Sequence, residues 1–265
     1  MTMRTYALAN QKGGCGKTTT AIHLAAALAQ RGERVLLVDL DPQAHATLGL
    51  GCHVGHGPSL VQVLAGEVDP DTAARPVSQG LDLLPATLEL ADFEEDSVHA
   101  LSAERALVRA LRPLVGRYDR VVLDCPPRAD GVLTANALRA ASHLLLVVET
   151  GAFALQGALR AREIFDELLG PGGGPVRRVV ATLFDRRTRF SRDLLVAMHA
   201  RFGPEMYDTA IRTSVRLREA VACGTPVLTS APTSAPAQDF LALADEVLAD
   251  RGATLDPSLP LYHEA

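Results

Sequence analysis

The segment Asn10–Thr20, NQKGGCGKTTT, concentrates the groups best suited to chemistry. It holds Lys12 and Lys17, the only two lysines in a chain whose other 24 basic side chains are arginine. Gly13, Gly14, Cys15 and Gly16 supply backbone N–H groups able to close around phosphate oxygens, and a helix opening just after them adds its favourable dipole. In such a loop Lys17 reaches the β- and γ-phosphates, the Thr18 hydroxyl reaches Mg²⁺, and Thr19 stands at the α-phosphate. A compact ammonium on a flexible stem fits a phosphate cradle that a planar guanidinium does not. That difference explains lysine in a chain that otherwise writes positive charge as arginine. The spacing departs from G-x-x-x-x-G-K-T: the first glycine would fall at Gln11, and the loop reads K-G-G-x-G-K-T-T instead.

A phosphate loop works only between a strand and a helix, and the flanking sequence predicts both. YALA at 6–9 is a short strand, and TTTAIHLAAALAQRG reads as a helix with Ile22, Ala25, Ala26 and Ala29 on one face and Gly32 as its stop. The runs RVLLVDLD, RVVLD (120–124), HLLLVVE (143–149) and RVVATLF (178–184) are apolar continuously, as in parallel strands buried on both faces. Helical patterns near 97–112, 155–169 and 190–201 separate them. This alternation predicts an α/β fold: a doubly wound, mostly parallel sheet flanked by helices. Residues 1–252 read as one domain, and 253–265, with two prolines and two acids, as a tail without an element of its own.

Bulk composition fits that picture. The chain has 265 residues, 48% hydrophobic and 22% charged, with a net charge of −5; DNA binding would need a local basic patch. Cysteines at 15, 52, 125 and 223 form no C-x-x-C pair and read as free thiols in a reducing compartment. No signal peptide or membrane-length apolar run is present, so the cytoplasm is expected. His45, His53 and His56 lie near Cys52 in a spacing that matches no structural zinc pattern, and read as a surface loop.

K-G-G-x-G-K-T-T resembles the deviant Walker A box of the ParA/MinD family of ATPases. The resemblance covers about residues 5–250, and segments such as ANALRAA, FDRRTRFSRDLL and VRLREAVACGTPV are similar to short, Soj-like chromosome-partitioning ParA proteins. It implies ATP and Mg²⁺ as ligands and catalytic roles for Lys12, Lys17 and Asp41. Lys12 would reach the partner's phosphates across a nucleotide-sandwich dimer. LLVDLDPQAHAT resembles the family's second box, where Asp41 orients the attacking water and Asp39 supports the Mg²⁺ shell. YDRVVLDCPP resembles a Walker B strand, where Asp124 holds Mg²⁺ through water. Short ParA proteins bind ATP, dimerise, coat nonspecific double-stranded DNA and are discharged by a ParB partner. Three positions depart from the family pattern: Arg128 follows the two prolines, Gly151 replaces an acid that touches the partner's nucleotide, and Ile211-Arg212-Thr213-Ser214 stands where I-P-R-N is usual.

Residues 176–220 contain ten arginines and five acids, a local +5 in a chain of −5. Arg187, Arg189, Arg216 and Arg218 are the candidate DNA contacts. Without interleaved aromatics to stack on bases, they would bind phosphates regardless of sequence. Three other readings use the same scaffold. A MinD-like membrane ATPase would end in a basic amphipathic helix, but this tail is acidic and broken by proline. A small-molecule enzyme, an amidoligase for example, would need a substrate pocket. An iron–sulfur carrier would need two cysteines per chain near Cys125, and none lies between 52 and 125.

Overall fold

A computed structural model describes residues 3–52, 57–96, 103–170 and 174–250. Its strands are β1 (Arg4–Ala9), β2 (Val35–Asp39), β3 (Arg75–Ser78), β4 (Leu81–Leu84), β5 (Arg120–Asp124), β6 (His143–Glu149), β7 (Val176–Phe184) and β8 (Met206–Arg212). All eight form one sheet in the order β3-β4-β2-β5-β1-β6-β7-β8. Only the β3–β4 pair is antiparallel among the recorded pairings.

The continuous apolar runs have the predicted cause. In β1, Tyr6 and Leu8 enter one core layer while Ala7 and Ala9 enter the other. In β2, Val35 and Leu37 divide from Leu36 and Val38 in the same way. Each strand therefore needs an apolar residue at every position, because helices cover both faces.

The helix after the glycine loop runs from Lys17 to Gln30, with Gly32 just beyond it at φ 93°. It is buried on nearly all sides rather than along one stripe, since it is packed between the sheet and the helix Ala235–Ala249. Small alanines allow that close approach. Within the described part of the helix expected at 97–112, the chain forms a 3₁₀ turn at Ala103–Arg105, a helix at Ala106–Leu111 and a second 3₁₀ turn at Arg112–Leu114, where Pro113 has no backbone N–H to continue the helical ladder. The helices Ala154–Leu169 and Arg189–Phe202 stand close to their expected places. Three strands carry no long apolar run. β3 and β4 are four residues each, β3 and β8 are edges, and Pro76 sits where a strand proline is tolerated. The tail at 253–265 and His53 and His56 lie outside the described residues.

Between β1 and its neighbours the chain reverses direction across the sheet: it passes from β1 to β2 on one side, and from β5 over β1 to β6 on the other. A crevice at the carboxyl ends of the strands is the expected ligand site of such a sheet. The glycine loop leaves β1 at that point.

Candidate nucleotide site

Five adjacent strands, β2, β5, β1, β6 and β7, deliver their C-terminal ends to this crevice. β1 delivers the glycine loop. Gly14 (φ 75°) and Gly16 (φ 92°) occupy the left-handed region, which L side chains rarely adopt, so the glycines are required by backbone shape. Asn10 anchors the start: its side-chain amide donates to the Val147 carbonyl at 2.7 Å, and its carbonyl oxygen accepts from the Lys12 N–H at 3.1 Å. Lys17 is buried, and its ammonium folds back toward the Lys12 carbonyl at 3.3 Å. Among the described residues no carboxylate lies within ion-pair distance of it.

β2 and β5 end in Asp39 and Asp124, which are register partners on neighbouring strands. Their surroundings differ. Asp39 accepts from the Thr47 N–H (2.8 Å), the Thr47 hydroxyl (2.7 Å) and the Asp41 N–H (3.2 Å). Both of its oxygens are thus engaged in fixing the chain from Asp41 to the short helix His45–Gly49. Asp124 is fully buried, and neither oxygen receives a hydrogen bond. Burial raises its pKa far above the usual carboxylate range, and the charge of Asp39 raises it further, while the Thr18 hydroxyl, close by without bonding geometry, and the Lys17 ammonium ease the charge. Burial is also the main cause of the rise at Asp39. Asp41 is nearly buried and accepts from the Gln43 N–H at 2.9 Å.

An unpartnered, buried carboxylate is costly, and a divalent cation is the natural remedy. Mg²⁺ is bound through one or two carboxylates, waters and substrate phosphates rather than by a dedicated protein cage. Asp124 with Thr18 beside it fits that need. Asp39, with both oxygens already receiving donors, is the buttress of the pair. The structure therefore brings Lys17, Thr18, Asp39, Asp41 and Asp124 together around one point.

Lys12 points elsewhere. Its side chain is 46% exposed, and its ammonium is ion-paired with Glu149 at the end of β6. The same carboxylate lies beside Gly151: a Cβ there would stand 2.6 Å from Glu149 Oε1, the far end of a flexible side chain. Glu149 thus fills the space beside the position where an acid was expected. Arg128, another departure, is exposed and paired with Asp130 at 3.3 Å.

The arginine-rich segment divides into two populations. Arg177, Arg178 and Arg212 pair with Asp166, Asp250 and Asp239 and hold the sheet to its flanking helices. They do not belong to an outward footprint, which corrects the simple count over 176–220. Arg187 and Arg189 flank the turn into the helix Arg189–Phe202, and Arg216 and Arg218 ride on the helix Val215–Ala222; all four are exposed. Arg187 pairs with Asp185 (2.8 Å), Arg189 with Asp193 (3.5 Å) and Arg216 with Glu219 (2.9 Å), surface pairs of small worth. Reading the sequence alone misses two threonines: Thr47, which secures Asp39, and Thr182 of β7, whose hydroxyl donates to the Cys15 carbonyl at 2.6 Å. A polar residue inside the apolar run V-V-A-T-L-F is the signal that could have marked Thr182.

A family described as an AAA domain matches residues 3–168. The chain is 42% identical over 250 residues to the chromosome-partitioning ATPase Soj of Thermus thermophilus, covering 93% of this chain and 96% of that protein. It is 37% identical to the sporulation initiation inhibitor protein Soj of Bacillus subtilis, over 92% of this chain and 98% of that protein. Among solved structures, cobyrinic acid a,c-diamide synthase from Mycobacterium smegmatis with bound ADP and magnesium is 34% identical, with a TM-score of 0.80 over 97% of this chain and all of that one. The ATP complex of a Cyanothece McdA variant gives a TM-score of 0.81 at 25% identity, over 95% of this chain and 98% of that one. The glycine loop with its two lysines and the paired strand-end aspartates thus stand in a chain that belongs to the ParA/Soj family of ATPases.

Proposed function

We propose that this ParA-type ATPase uses Mg²⁺ with ATP, dimerises on ATP, binds duplex DNA without regard to sequence, and is discharged when a ParB-like partner stimulates hydrolysis. It would act in the cytoplasm on the nucleoid; no helix of the described residues is long and apolar enough to cross a membrane. The observation that carries the nucleotide reading is Asp124: a fully buried carboxylate without a partner, beside Thr18 and Lys17. Lys17 would bind the β- and γ-phosphates, Asp41 would hold the attacking water, and Asp124 with Thr18 would hold Mg²⁺, which supplies charge neutralisation at the phosphates. Lys12 would leave Glu149 and turn to the phosphates of a second copy, so that ATP bridges two chains. Two arginine faces would then engage DNA at once and gain from the doubled valency.

The test is ATP-dependent, salt-sensitive binding to arbitrary duplex DNA, measured beside the ATPase rate and the mass by light scattering. Arg216→Glu should weaken binding on every sequence alike and lower the salt slope by roughly one unit per lost phosphate contact, with ATP affinity unchanged. Lys12→Ala should bind ATP as a monomer and lose DNA binding. A Lys12→Ala protein that dimerises as readily as the parent refutes the trans role.

A second reading, ATP-driven amide formation on a small carboxylic acid, is favoured by the likeness to the diamide synthase. Hydrolysis stimulated by DNA supports partitioning; hydrolysis stimulated by an amine donor and a carboxylic acid supports the second.

A further inference from the structure

We infer that Thr182 is a positioning residue of the phosphate loop: its hydroxyl fixes the peptide between Cys15 and Gly16, so that the Gly16 N–H faces the phosphate cradle. The inference rests on the nucleotide reading above and adds a residue to it. Thr182 lies on β7, two strands from β1, with β6 between them. It is 2% exposed, and its Oγ1 donates to the Cys15 carbonyl across the end of β6.

The peptide unit is planar and trans, so the Cys15 carbonyl and the Gly16 N–H point in opposite directions. Fixing the carbonyl toward β7 aims the N–H away from it. The loop needs such a tether, because glycines have wide conformational freedom and a run of three among four residues costs much entropy to order. Side chains built at Gly13 or Gly14 would meet nothing within 4 Å, whereas one at Gly16 would meet Thr182 at 3.7 Å. Thr182 is therefore the wall against which this part of the loop rests.

The wall is itself held. Thr182 pairs in register with Glu149, its carbonyl accepts from the Thr150 N–H at 2.9 Å, and the Thr150 hydroxyl donates to the Leu183 carbonyl at 3.1 Å. A β-branched side chain has few χ1 choices, so the hydroxyl has little room to wander. Leu183, the next residue, takes φ 52°, a strained value for leucine. Such strain persists where surrounding contacts over-determine the backbone.

The test compares Thr182→Val, Thr182→Ser and Lys17→Ala by calorimetric nucleotide titration, steady-state kinetics and thermal melting. Val keeps the shape and removes the donor, so ADP and ATP should bind about tenfold more weakly, as expected for one lost oriented contact to a charged group. The melting temperature and kcat should change little, and Ser should return affinity to near the parent value. If Thr182→Val fails to fold, Thr182→Ala carries the same expectation. Unchanged nucleotide affinity in a folded Val or Ala variant, or an affinity loss that Ser does not rescue, overturns the inference. The function reading fails separately, if the parent protein binds no nucleotide or if Lys17→Ala binds as well as the parent.

Discussion

The two ends of the central strands are built on opposite principles. At the N-terminal end, charges meet partners. Arg34 pairs with Asp119 at 2.7 Å and donates to the Gly116 carbonyl at 2.8 Å. Arg120 pairs with Glu33 at 2.7 Å and donates to the Tyr6 hydroxyl at 2.9 Å. Arg178 pairs with Asp250 at 2.6 Å, and Arg4 donates to the carbonyl of that same residue. At the C-terminal end, among the described residues, Asp124 is buried without a donor and Lys17 lacks a carboxylate. Three non-glycine residues there take left-handed backbone: Ala44 after the Asp41 turn, Phe153 after β6 and Leu183 in β7. The charged groups named at one end are paired within the protein, while those at the other are left for a ligand that carries phosphate and a cation. Stability and binding are thus separated along one set of strands.

Breaking the ligand end at its cation should have the largest effect. Lys17→Ala should weaken ATP binding by about 100-fold, since an oriented contact between charged groups contributes roughly 1.5–3 kcal/mol and 1.4 kcal/mol is tenfold. Calorimetric titration checks this, and the melting temperature without nucleotide should hardly move. Breaking the satisfied end should do the reverse. Arg120→Ala leaves Glu33 and the Tyr6 hydroxyl short of a partner and should destabilise the fold by about 2 kcal/mol, a fall in Tm of roughly 4–8 °C for a chain of this size, with KM for ATP unchanged.

The smallest effect sharpens the same contrast through pH. The Arg34 guanidinium holds the Asp119 carboxyl down to about 2. Because the folded pKa is depressed below the unfolded value near 3.9, this contribution is complete above about pH 4 and is lost as pH falls toward 2. Much of the pair is exposed, so solvent screening keeps its worth small. Acid denaturation of Asp119→Asn beside the parent should show a gap at pH 6 that closes by about pH 2.

The buried strands β2, β5, β6 and β7 and the glycine loop were legible in the sequence because continuous apolar runs and a G-K-T-T step each have one common cause. The edge strands β3 and β8 were not, since R-P-V-S and M-Y-D-T-A-I-R are interrupted by polar residues and carry no continuous apolar run. The site was legible as types and places, with Lys17, Thr18 and Asp124 brought together as expected. Its finer distinctions were not. Sequence cannot say that Asp39 is occupied by Thr47 while Asp124 is left bare, nor that Arg177, Arg178 and Arg212 turn inward to form ion pairs. Those facts depend on neighbours distant in the chain. Thr182, 167 residues from Cys15, is the clearest case.

The central claim is that the bare Asp124 carboxylate is reserved for the cation that accompanies the phosphates. The direct measurement is ATP affinity with and without Mg²⁺, by calorimetric titration of the parent protein and of Asp124→Asn. The parent should gain at least about tenfold in affinity from Mg²⁺, equal to about 1.4 kcal/mol. Asp124→Asn should gain almost nothing, yet melt at a higher temperature than the parent when nucleotide is absent, because the cost of burying a carboxylate is removed and, with it, the repulsion with Asp39. An Asp124→Asn protein whose ATP affinity still rises with Mg²⁺ as much as the parent's would contradict the account.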